Sequence, residues 1–308
     1  MDAILMWGIG VVLALQALSS PALDGIFLAI TQLGGELFFF LLIPLIYWCF
    51  DKRLGIRLAV LFLLSAVANL WLKALFNTPR PYQVDSRVRL IGHAETNPGF
   101  PSGHAQSTTT VWVELGRRVR RGWMWAAATV VVALVSLSRV YLGVHFPHDV
   151  IGGVLFGLAA IALFARFEPA LSRRWAALTA GAQVALSLVA PIALLMVNID
   201  RDTAAALGAL AGLSAGYVVQ HRWAGFAADG PVTQRVLRFV GGAIGVLALY
   251  LGLRSAFGSL AGEENTPLWY ALRYVRYGLT GLWAGGLWPM AAVRLRLALR
   301  ESPADSPA

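Results

Sequence analysis

Residues 54–76 have the sequence LGIRLAVLFLLSAVANLWLKALF, in which Arg57 and Lys73 are the only charged side chains. A helix needs about 20 predominantly apolar residues to cross the hydrocarbon core of a bilayer, which is about 30 Å thick. This stretch is long enough and apolar enough to do so. It therefore predicts a membrane-spanning helix that carries a lysine near one end.

Other segments of the chain repeat this character. They lie at residues 34–50, 101–116, 123–142, 148–166, 175–197, 203–220, 239–257 and 268–292. A shorter apolar stretch, residues 3–18, stops at Ser19-Ser20-Pro21 and is either a tenth span or a helix lying in the membrane interface. We therefore predict an all-α fold, a polytopic bundle of transmembrane helices.

The composition excludes several classes of protein. Of the 308 residues, 58% are hydrophobic and only 13% are charged, whereas soluble domains carry roughly 25% charged residues. The single cysteine, Cys49, excludes an internal disulfide and a cysteine-based metal cluster. The net charge of +9 does not indicate nucleic-acid binding, because the basic residues punctuate apolar segments rather than form one exposed face.

The distribution of basic residues predicts the orientation in the membrane. If the nine segments alternate in direction, most of the basic residues fall on one side, which the positive-inside rule makes cytoplasmic. These residues are Lys52, Arg53, Arg57, Arg117, Arg118, Arg120, Arg121, Arg166, Arg173, Arg174, Arg222, Arg235, Arg238, Arg294, Arg296 and Arg300. The loop at residues 77–100 and the turn at His145 are then expected on the outer side.

Three cations lie at segment ends on that outer side: Lys73, Arg80 and Arg139. Charged groups at membrane depth are energetically costly and indicate function. Arg139 offers the planar donor fork that suits phosphate oxygens. Lys73 and Arg80 converge if their helix continues that far, although Pro79 and Pro81 favour an extended end. Together the three cations predict an anion site.

The sequence Pro101-Ser102-Gly103-His104 begins the next apolar segment. Pro101 suits the first position of a helix, and Gly103 allows another group to approach the backbone closely. We expect the free backbone amides near Ser102 and Gly103 to hold an anion, with the helix dipole behind them.

Histidines supply the reactive groups. Asp149 follows His145 by four residues, and a carboxylate that accepts one imidazole N–H leaves the other nitrogen as nucleophile or base. His104 is placed to donate a proton to a leaving oxygen. His145, His148 and Asp149 could instead bind zinc, but the neighbouring cations would repel a metal. We predict no metal and no cofactor, and we interpret His148 as a helix-start residue.

These motifs resemble a known signature. Lys73-x6-Arg80-Pro81, Pro101-Ser102-Gly103-His104 and Ser138-Arg139-x5-His145-x3-Asp149 are similar to the three-part signature of the type 2 phosphatidic acid phosphatase (PAP2) superfamily. That superfamily includes lipid phosphatases, undecaprenyl-diphosphate phosphatases, glucose-6-phosphatase and vanadium haloperoxidases. The resemblance covers residues 3–166 and implies a six-helix core in which residues 3–18 form the first helix.

The resemblance also implies roles for individual residues. His145 would attack phosphorus to form a phosphohistidine, Asp149 would orient it, and His104 would protonate the leaving alcohol. The phosphate-holding positions of the family fall on Lys73, Arg80, Ser102, Gly103 and Arg139. It implies an integral-membrane, metal-independent phosphatase that acts on a lipid phosphate monoester or a polyprenyl diphosphate. The expected location is the cytoplasmic membrane, with the active site on its outer face.

A weaker resemblance lies upstream. Leu33-Gly34-x-Glu36-x-Phe38, Pro44, Trp48 and Asp51 are similar to the segment before the first motif of sphingosine-1-phosphate phosphatases. This similarity favours a single-chain lipid phosphate as substrate. Phosphatidic acid, phosphatidylglycerophosphate and undecaprenyl diphosphate remain open, because the site is expected to recognise the anion.

We predict three regions: the phosphatase core at residues 1–170, additional transmembrane helices of unknown role at 171–300, and a cytoplasmic tail at 301–308. The expected partners are the lipid phosphate and membrane lipids, with no nucleic acid, and homo-oligomerisation is left open. Two other functions are compatible with the sequence. One is a phosphotransferase that passes the phosphoryl group to a lipid or sugar hydroxyl, and the other is a lipid transporter or flippase.

Overall fold

The computed structural model describes residues 3–301, and these residues form helices joined by connections that are short except for the loop at residues 85–102. In the described part of the chain the only β pairing is an isolated bridge between Phe226 and Arg300. The helices are α1 Ala3–Gln16, α2 Pro21–Gln32, α3 Glu36–Cys49, α4 Lys52–Phe76, α5 Pro81–Val84, α6 Gly103–Val119, α7 Gly122–Tyr141, α8 Pro147–Ala176, α9 Ala180–Leu195, α10 Arg201–Trp223, α11 Val232–Ala261, α12 Pro267–Leu282 and α13 Trp288–Arg294, with a π-helical turn at Trp283–Leu287 before α13. The all-α prediction is confirmed.

Each of the nine predicted spans coincides with a helix, but fewer are long and apolar enough to cross a membrane. Among residues 3–301, five helices meet that criterion, and the number rises to six if the bent pair α1–α2 is one span. Helices α3 and α9 are apolar but have 14 and 16 residues, so they reach only about 21–24 Å. Helix α6 carries many polar side chains on a buried face. The prediction of nine full spans is corrected to this extent.

The first apolar stretch ends as the sequence indicates, but a helix follows it that the sequence did not predict. Helix α1 ends at Gln16, and α2 begins after Ser20, whose side chain accepts a hydrogen bond from the Leu23 amide. The two helices are bent by 119°. Asp24 and Gly25 interrupt the apolar pattern of α2, which explains why the pattern did not reveal this short helix.

The described chain divides into two compact units. The first comprises the residues up to Phe40 together with Leu64–Phe167. Its core includes an apolar cluster around Phe146 and Val12 and another around Tyr141 and Leu142. The first unit contains all three motifs.

The second unit comprises Leu41–Leu63 and the residues from Glu168 onward. Its helices α10 and α12 approach until their backbones touch, because Gly208, Gly212 and Gly216 recur every four residues along α10. Small residues at this spacing let helices pack closely in lipid. A methyl group at Gly212 would overlap the Gly278 carbonyl oxygen of α12, so any larger residue would separate the helices. The predicted three-region division stays a prediction, and residues 302–308 of the predicted tail lie outside the described residues.

Candidate active site

His145 lies in the turn between α7 and α8. Gly143 has φ +75°, a conformation that favours glycine, and it lets the chain reverse directly after α7. The His145 amide donates to the Arg139 carbonyl oxygen at 3.2 Å. This turn therefore places the last-turn arginine of α7 beside the histidine.

The His145 side chain is buried and held on both ring nitrogens. Its Nδ1 lies 3.3 Å from Asp149 Oδ2, and its Nε2 lies 3.3 Å from a terminal nitrogen of Arg80. A guanidinium donates but does not accept hydrogen bonds. Nε2 is therefore the acceptor, Nδ1 carries the proton, and the proton is donated to Asp149.

Asp149 is placed by the first turn of α8. Helix α8 begins at Pro147, one residue before the predicted helix-start residue His148, and Asp149 Oδ2 also accepts the Phe146 amide at 2.9 Å. His148 lies beside the other carboxylate oxygen, with Nε2 3.4 Å from Asp149 Oδ1, and its ring stacks on Phe146. His148 thus packs at the helix start, in agreement with its interpretation.

The His145 imidazole is neutral at physiological pH. Burial lowers the pKa of His145 well below its usual value, and the nearby charges of Arg80, Arg139 and Lys73 lower it further. A neutral imidazole with Nδ1 protonated keeps a lone pair on Nε2, which is the atom that can attack an electrophile.

Arg80 follows α4 on an extended segment and is 1% exposed. Helix α4 ends at Phe76, so the extended end predicted from Pro79 and Pro81 is confirmed. The Arg80 guanidinium donates to three backbone carbonyl oxygens: Asn97 at 2.8 Å, Pro98 at 3.2 Å and Val144 at 2.8 Å. These bonds fix its orientation toward His145.

Lys73 projects from the last turn of α4 and is also buried. Its ammonium donates to the carbonyl oxygens of Pro98 and, at 3.4 Å, of Gly99. The same short segment of the loop between α5 and α6 therefore contacts both Lys73 and Arg80. Residue-type patterns in the sequence do not reveal this, because the contacts are made by backbone oxygens.

Arg139 is the third buried cation. It donates to Thr31 Oγ1 at 2.9 Å and forms an ion pair with Glu95. Neither Thr31 nor Glu95 was predicted from the sequence. Burial would raise the pKa of Glu95, but the charges of Arg139 and Arg80 outweigh that effect and hold the pKa below its usual value. Glu95 is therefore ionised.

The start of α6 differs in detail from the expectation. Ser102 is the N-cap, its Oγ accepts the Ala105 amide at 3.5 Å, and Pro101 lies before the helix rather than inside it. The Ser102 amide donates to the Asp149 carbonyl oxygen at 2.9 Å, so it is not free for an anion. The amides of Gly103 and His104 lie in the first turn, where no intrahelical acceptor exists. They are the donors that α6 offers.

His104 is partly exposed and lies within electrostatic reach of Arg139, Glu95 and His145. Gly34, from the upstream motif, lies beside it, since a methyl group at Gly34 would be 3.4 Å from His104 Cδ2. Three other residues of the upstream motif, Pro44, Trp48 and Asp51, lie in the second unit. There Trp48 donates to the Ala284 carbonyl oxygen and Asp51 accepts the Leu54 amide at the start of α4.

A chain of buried amides and hydroxyls supports the motif at residues 101–104. Asn69 of α4 donates to the Pro101 carbonyl oxygen at 3.3 Å and to Gln106 Oε1 at 2.8 Å. Gln106 in turn donates to Ser65. Polar groups inside apolar helices are the sequence signal that could have identified these supports.

Helix α8 packs closely against this motif through Gly153. A methyl group at Gly153 would lie 2.5 Å from the Ser102 carbonyl oxygen. The absence of a side chain there lets Asp149, one turn earlier, reach both His145 and Ser102. Among residues 3–301, no three His, Cys, Asp or Glu side chains group as ligands for a metal ion.

Two family models match the chain. The model described as the PAP2 superfamily matches residues 54–173, and the one described as the transmembrane extension of PAP2 superfamily phosphatases matches residues 204–300. The first match contains every predicted site residue.

Several curated proteins are similar to the part of the chain that holds the motifs. Undecaprenyl-diphosphatase of Sulfolobus acidocaldarius is 36% identical over 34% of this chain and 51% of its own length. Sphingosine-1-phosphate phosphatase 1 of Mus musculus is 29% identical over 44% of this chain and 32% of its own length. The catalytic subunit 1 of glucose-6-phosphatase from Rattus norvegicus is 32% identical over 42% of this chain and 44% of its own length.

The chain thus spans about a third to a half of the length of these relatives. The motifs, their convergence on one buried cluster and the two family matches agree. The chain belongs to the PAP2 superfamily, with a PAP2 domain followed by the transmembrane extension of that superfamily's phosphatases.

Proposed function

We propose that this protein is an integral-membrane, metal-independent phosphatase that hydrolyses a lipid phosphate through a phosphohistidine at His145. The observation that carries the proposal is the position of the His145 ring. It is neutral and buried, it is bound by Asp149 at Nδ1, and its Nε2 faces a cluster of three cations. This arrangement combines a nucleophile with the charge that stabilises a phosphoryl group during transfer.

The reaction proceeds in two steps. In the first, Arg80 moves its hydrogen bond from Nε2 to a phosphoryl oxygen, and the freed Nε2 lone pair attacks phosphorus. The bond from phosphorus to the ester oxygen breaks. His104, whose protonated form is favoured by the negative charge of the bound phosphate, donates a proton to the leaving alkoxide. The products are the alcohol and a phosphohistidine whose Nδ1–H still donates a hydrogen bond to Asp149. In the second step, water attacks phosphorus while neutral His104 accepts its proton, and inorganic phosphate and free His145 result.

The three cations neutralise charge in this mechanism, and one of them also positions His145. Lys73, Arg80 and Arg139 neutralise the phosphoryl oxygens, and the amides at the start of α6 add neutral donors aligned with the helix dipole. Arg80 is also a positioning residue for His145, because it donates to Nε2 and holds the Val144 carbonyl beside it.

The substrate class follows from the membrane setting and from the relatives. Two of the similar proteins are named for a polyprenyl diphosphate and a sphingoid phosphate, both of which carry an anion on an apolar chain. The chain is itself membrane-embedded, with five helices long and apolar enough to span. We propose a lipid phosphate monoester or a polyprenyl diphosphate as substrate.

The proposed location is the cytoplasmic membrane, with the active site on the outer face. Basic residues cluster at the connection between α6 and α7 and at the end of α8, opposite to the ends that carry the motifs. Under the positive-inside rule these ends are cytoplasmic.

A phosphate-release panel tests the proposed function. Purified full-length protein in detergent is assayed in EDTA with sphingosine-1-phosphate, phosphatidic acid, phosphatidylglycerophosphate and undecaprenyl diphosphate, and with glucose-6-phosphate as a water-soluble comparison. We expect release from at least one lipid at an undiminished rate in EDTA. Release only with added divalent metal would contradict metal independence, and faster release from glucose-6-phosphate than from every lipid would contradict the lipid assignment.

The burial of His145 also predicts a pH dependence of stability. The unfolded chain binds a proton at the ordinary histidine pKa of about 6.5, whereas the folded protein keeps His145 neutral until a much lower pH. The unfolded state therefore gains protons first as pH falls. The folded state should lose about 1.4 kcal/mol of stability per pH unit below 6.5 from this residue alone.

Thermal melts at pH 7.5 and pH 5.5 check this effect. The decrease in Tm between the two pH values should be smaller in His145→Asn than in the wild type. The same substitution at His93, which is exposed in the outer loop, serves as the control and should leave the decrease unchanged. An equal decrease in His145→Asn and the wild type would show that His145 is not held neutral by the fold.

A further inference from the structure

One loop segment, residues 95–99, contacts all three cations of the site. The carbonyl oxygens of Asn97, Pro98 and Gly99 accept from Arg80 and Lys73. The contact with Arg139 is of another kind, because it is made by the side-chain carboxylate of Glu95 rather than by a backbone oxygen. Among the three cations, and within residues 3–301, Arg139 is the one that forms an ion pair with a carboxylate.

The hydrogen bonds of Arg139 to other described residues leave one of its three nitrogens without a partner. One terminal nitrogen donates to Thr31 Oγ1, and the other donates to Glu95 Oε1. Its Nε is buried and has no hydrogen-bond partner in the part of the chain that the structure describes. A buried donor without an acceptor costs about 1–3 kcal/mol, so this atom indicates a ligand acceptor rather than a structural contact.

The planar geometry of the guanidinium explains how Arg139 could bind a phosphate through its unpartnered Nε. The Nε–H and one N–H of the terminal nitrogen bound to Glu95 point in the same direction and form an edge that suits two oxygens of one phosphate. Glu95 binds one of the two nitrogens of that edge. Its side chain is 33% exposed, whereas that of Arg139 is 5% exposed, so the carboxylate is the solvent-accessible partner of the pair.

We propose that Glu95 is an internal anion that holds Arg139 in the phosphate-free site and is displaced when a phosphoryl group takes both donors of the Arg139 edge. Glu95 is then a residue that sets the affinity of the site for phosphate. Its charge competes with the substrate and with the product, and it aids release of inorganic phosphate after turnover. This inference rests on the proposed function, because it takes the cation cluster as the phosphate site.

Glu95 is anchored so that this exchange can recur. The Tyr82 hydroxyl donates to the Glu95 backbone carbonyl oxygen at 3.1 Å, so the backbone stays in place when the side chain leaves. Arg80 and His104 are also near the carboxylate. After displacement, Glu95 remains beside the bound anion and repels it, which limits how tightly inorganic phosphate binds.

The test is direct titration of inorganic phosphate into full-length protein in detergent, by isothermal calorimetry. Glu95→Gln keeps the shape of the side chain and removes its charge. We expect the Kd for phosphate to fall about tenfold, which corresponds to about 1.4 kcal/mol. If Glu95→Gln does not fold, Glu95→Ala takes its place with the same expected direction. A merely structural role predicts weaker binding, so an unchanged or higher Kd in the folded variant would overturn the inference.

The matched control is Asp85→Asn. Asp85 lies in the same outer loop and pairs with exposed Arg87, away from the cation cluster, so its loss should leave the phosphate Kd unchanged. The two hypotheses fail differently. If no lipid releases phosphate, the proposed function fails while the titration still reports on Glu95; if release occurs but Glu95→Gln binds phosphate no tighter, only the inference fails.

Discussion

Substitution of His145 by alanine should lower phosphate release from the best lipid substrate by about 10⁴-fold or more, as expected when a catalytic nucleophile is removed. The loss removes the only atom that the mechanism places for attack on phosphorus, the Nε2 held between Asp149 and Arg80. The measurement is the initial rate of phosphate release at saturating lipid in mixed micelles. Asp149→Asn should retain the fold and give a smaller loss, because the amide no longer fixes the imidazole tautomer.

His93→Ala is the control for this prediction. His93 lies in the loop at residues 77–100 and is exposed, so the same substitution there should leave the rate unchanged. Activity of His145→Ala above about a tenth of the wild-type rate would show that another group attacks phosphorus, and the phosphohistidine mechanism would be wrong.

Substitution of Arg80 by alanine should lower kcat/KM by about a thousandfold, the upper range for losing a charge-stabilising donor. The change removes the donor to His145 Nε2. It also removes the guanidinium that donates to the carbonyl oxygens of Asn97, Pro98 and Val144. Arg80→Lys should be intermediate, because a lysine keeps the charge but lacks the planar fork. Steady-state kinetics and a thermal melt measure the catalytic and structural parts of this effect.

Arg87→Ala provides the comparison for Arg80. Arg87 is exposed and pairs with Asp85 in the same loop, so a general loss of positive charge near the site predicts a reduction in both variants. The account predicts that only the Arg80 variants lose activity. Equal losses would point to long-range attraction of the substrate rather than to the contacts of Arg80.

The sequence predicted the parts of the molecule that depend on residue type and spacing. The length of the apolar segments predicted every helix from α3 onward except the four-residue α5. The spacing of four residues between His145 and Asp149 predicted their contact, which forms at the start of α8. The extended end at Arg80 followed from its flanking prolines. These features are local, so a single sequence carries them.

Other features depend on contacts between distant segments and were not predictable from the sequence. The Ser102 amide at the start of α6 donates to the Asp149 carbonyl oxygen of α8, which is a backbone contact between two helices. Thr31 reaches Arg139 only because α2 forms after a sharp bend. Glu95 lies in a polar loop where a carboxylate is unremarkable by pattern, and only the fold brings it to a buried arginine.

The central claim is that His145 carries the phosphoryl group, and trapping that intermediate tests it most directly. Protein mixed briefly with a ³²P-labelled lipid phosphate in EDTA is quenched in alkali, which preserves phosphohistidine, and the labelled peptide is identified by mass spectrometry. The account predicts label on the peptide that contains His145 in the wild type and none in His145→Ala. Rapid phosphate release by the wild type without label at His145, or with label on another residue, would contradict it.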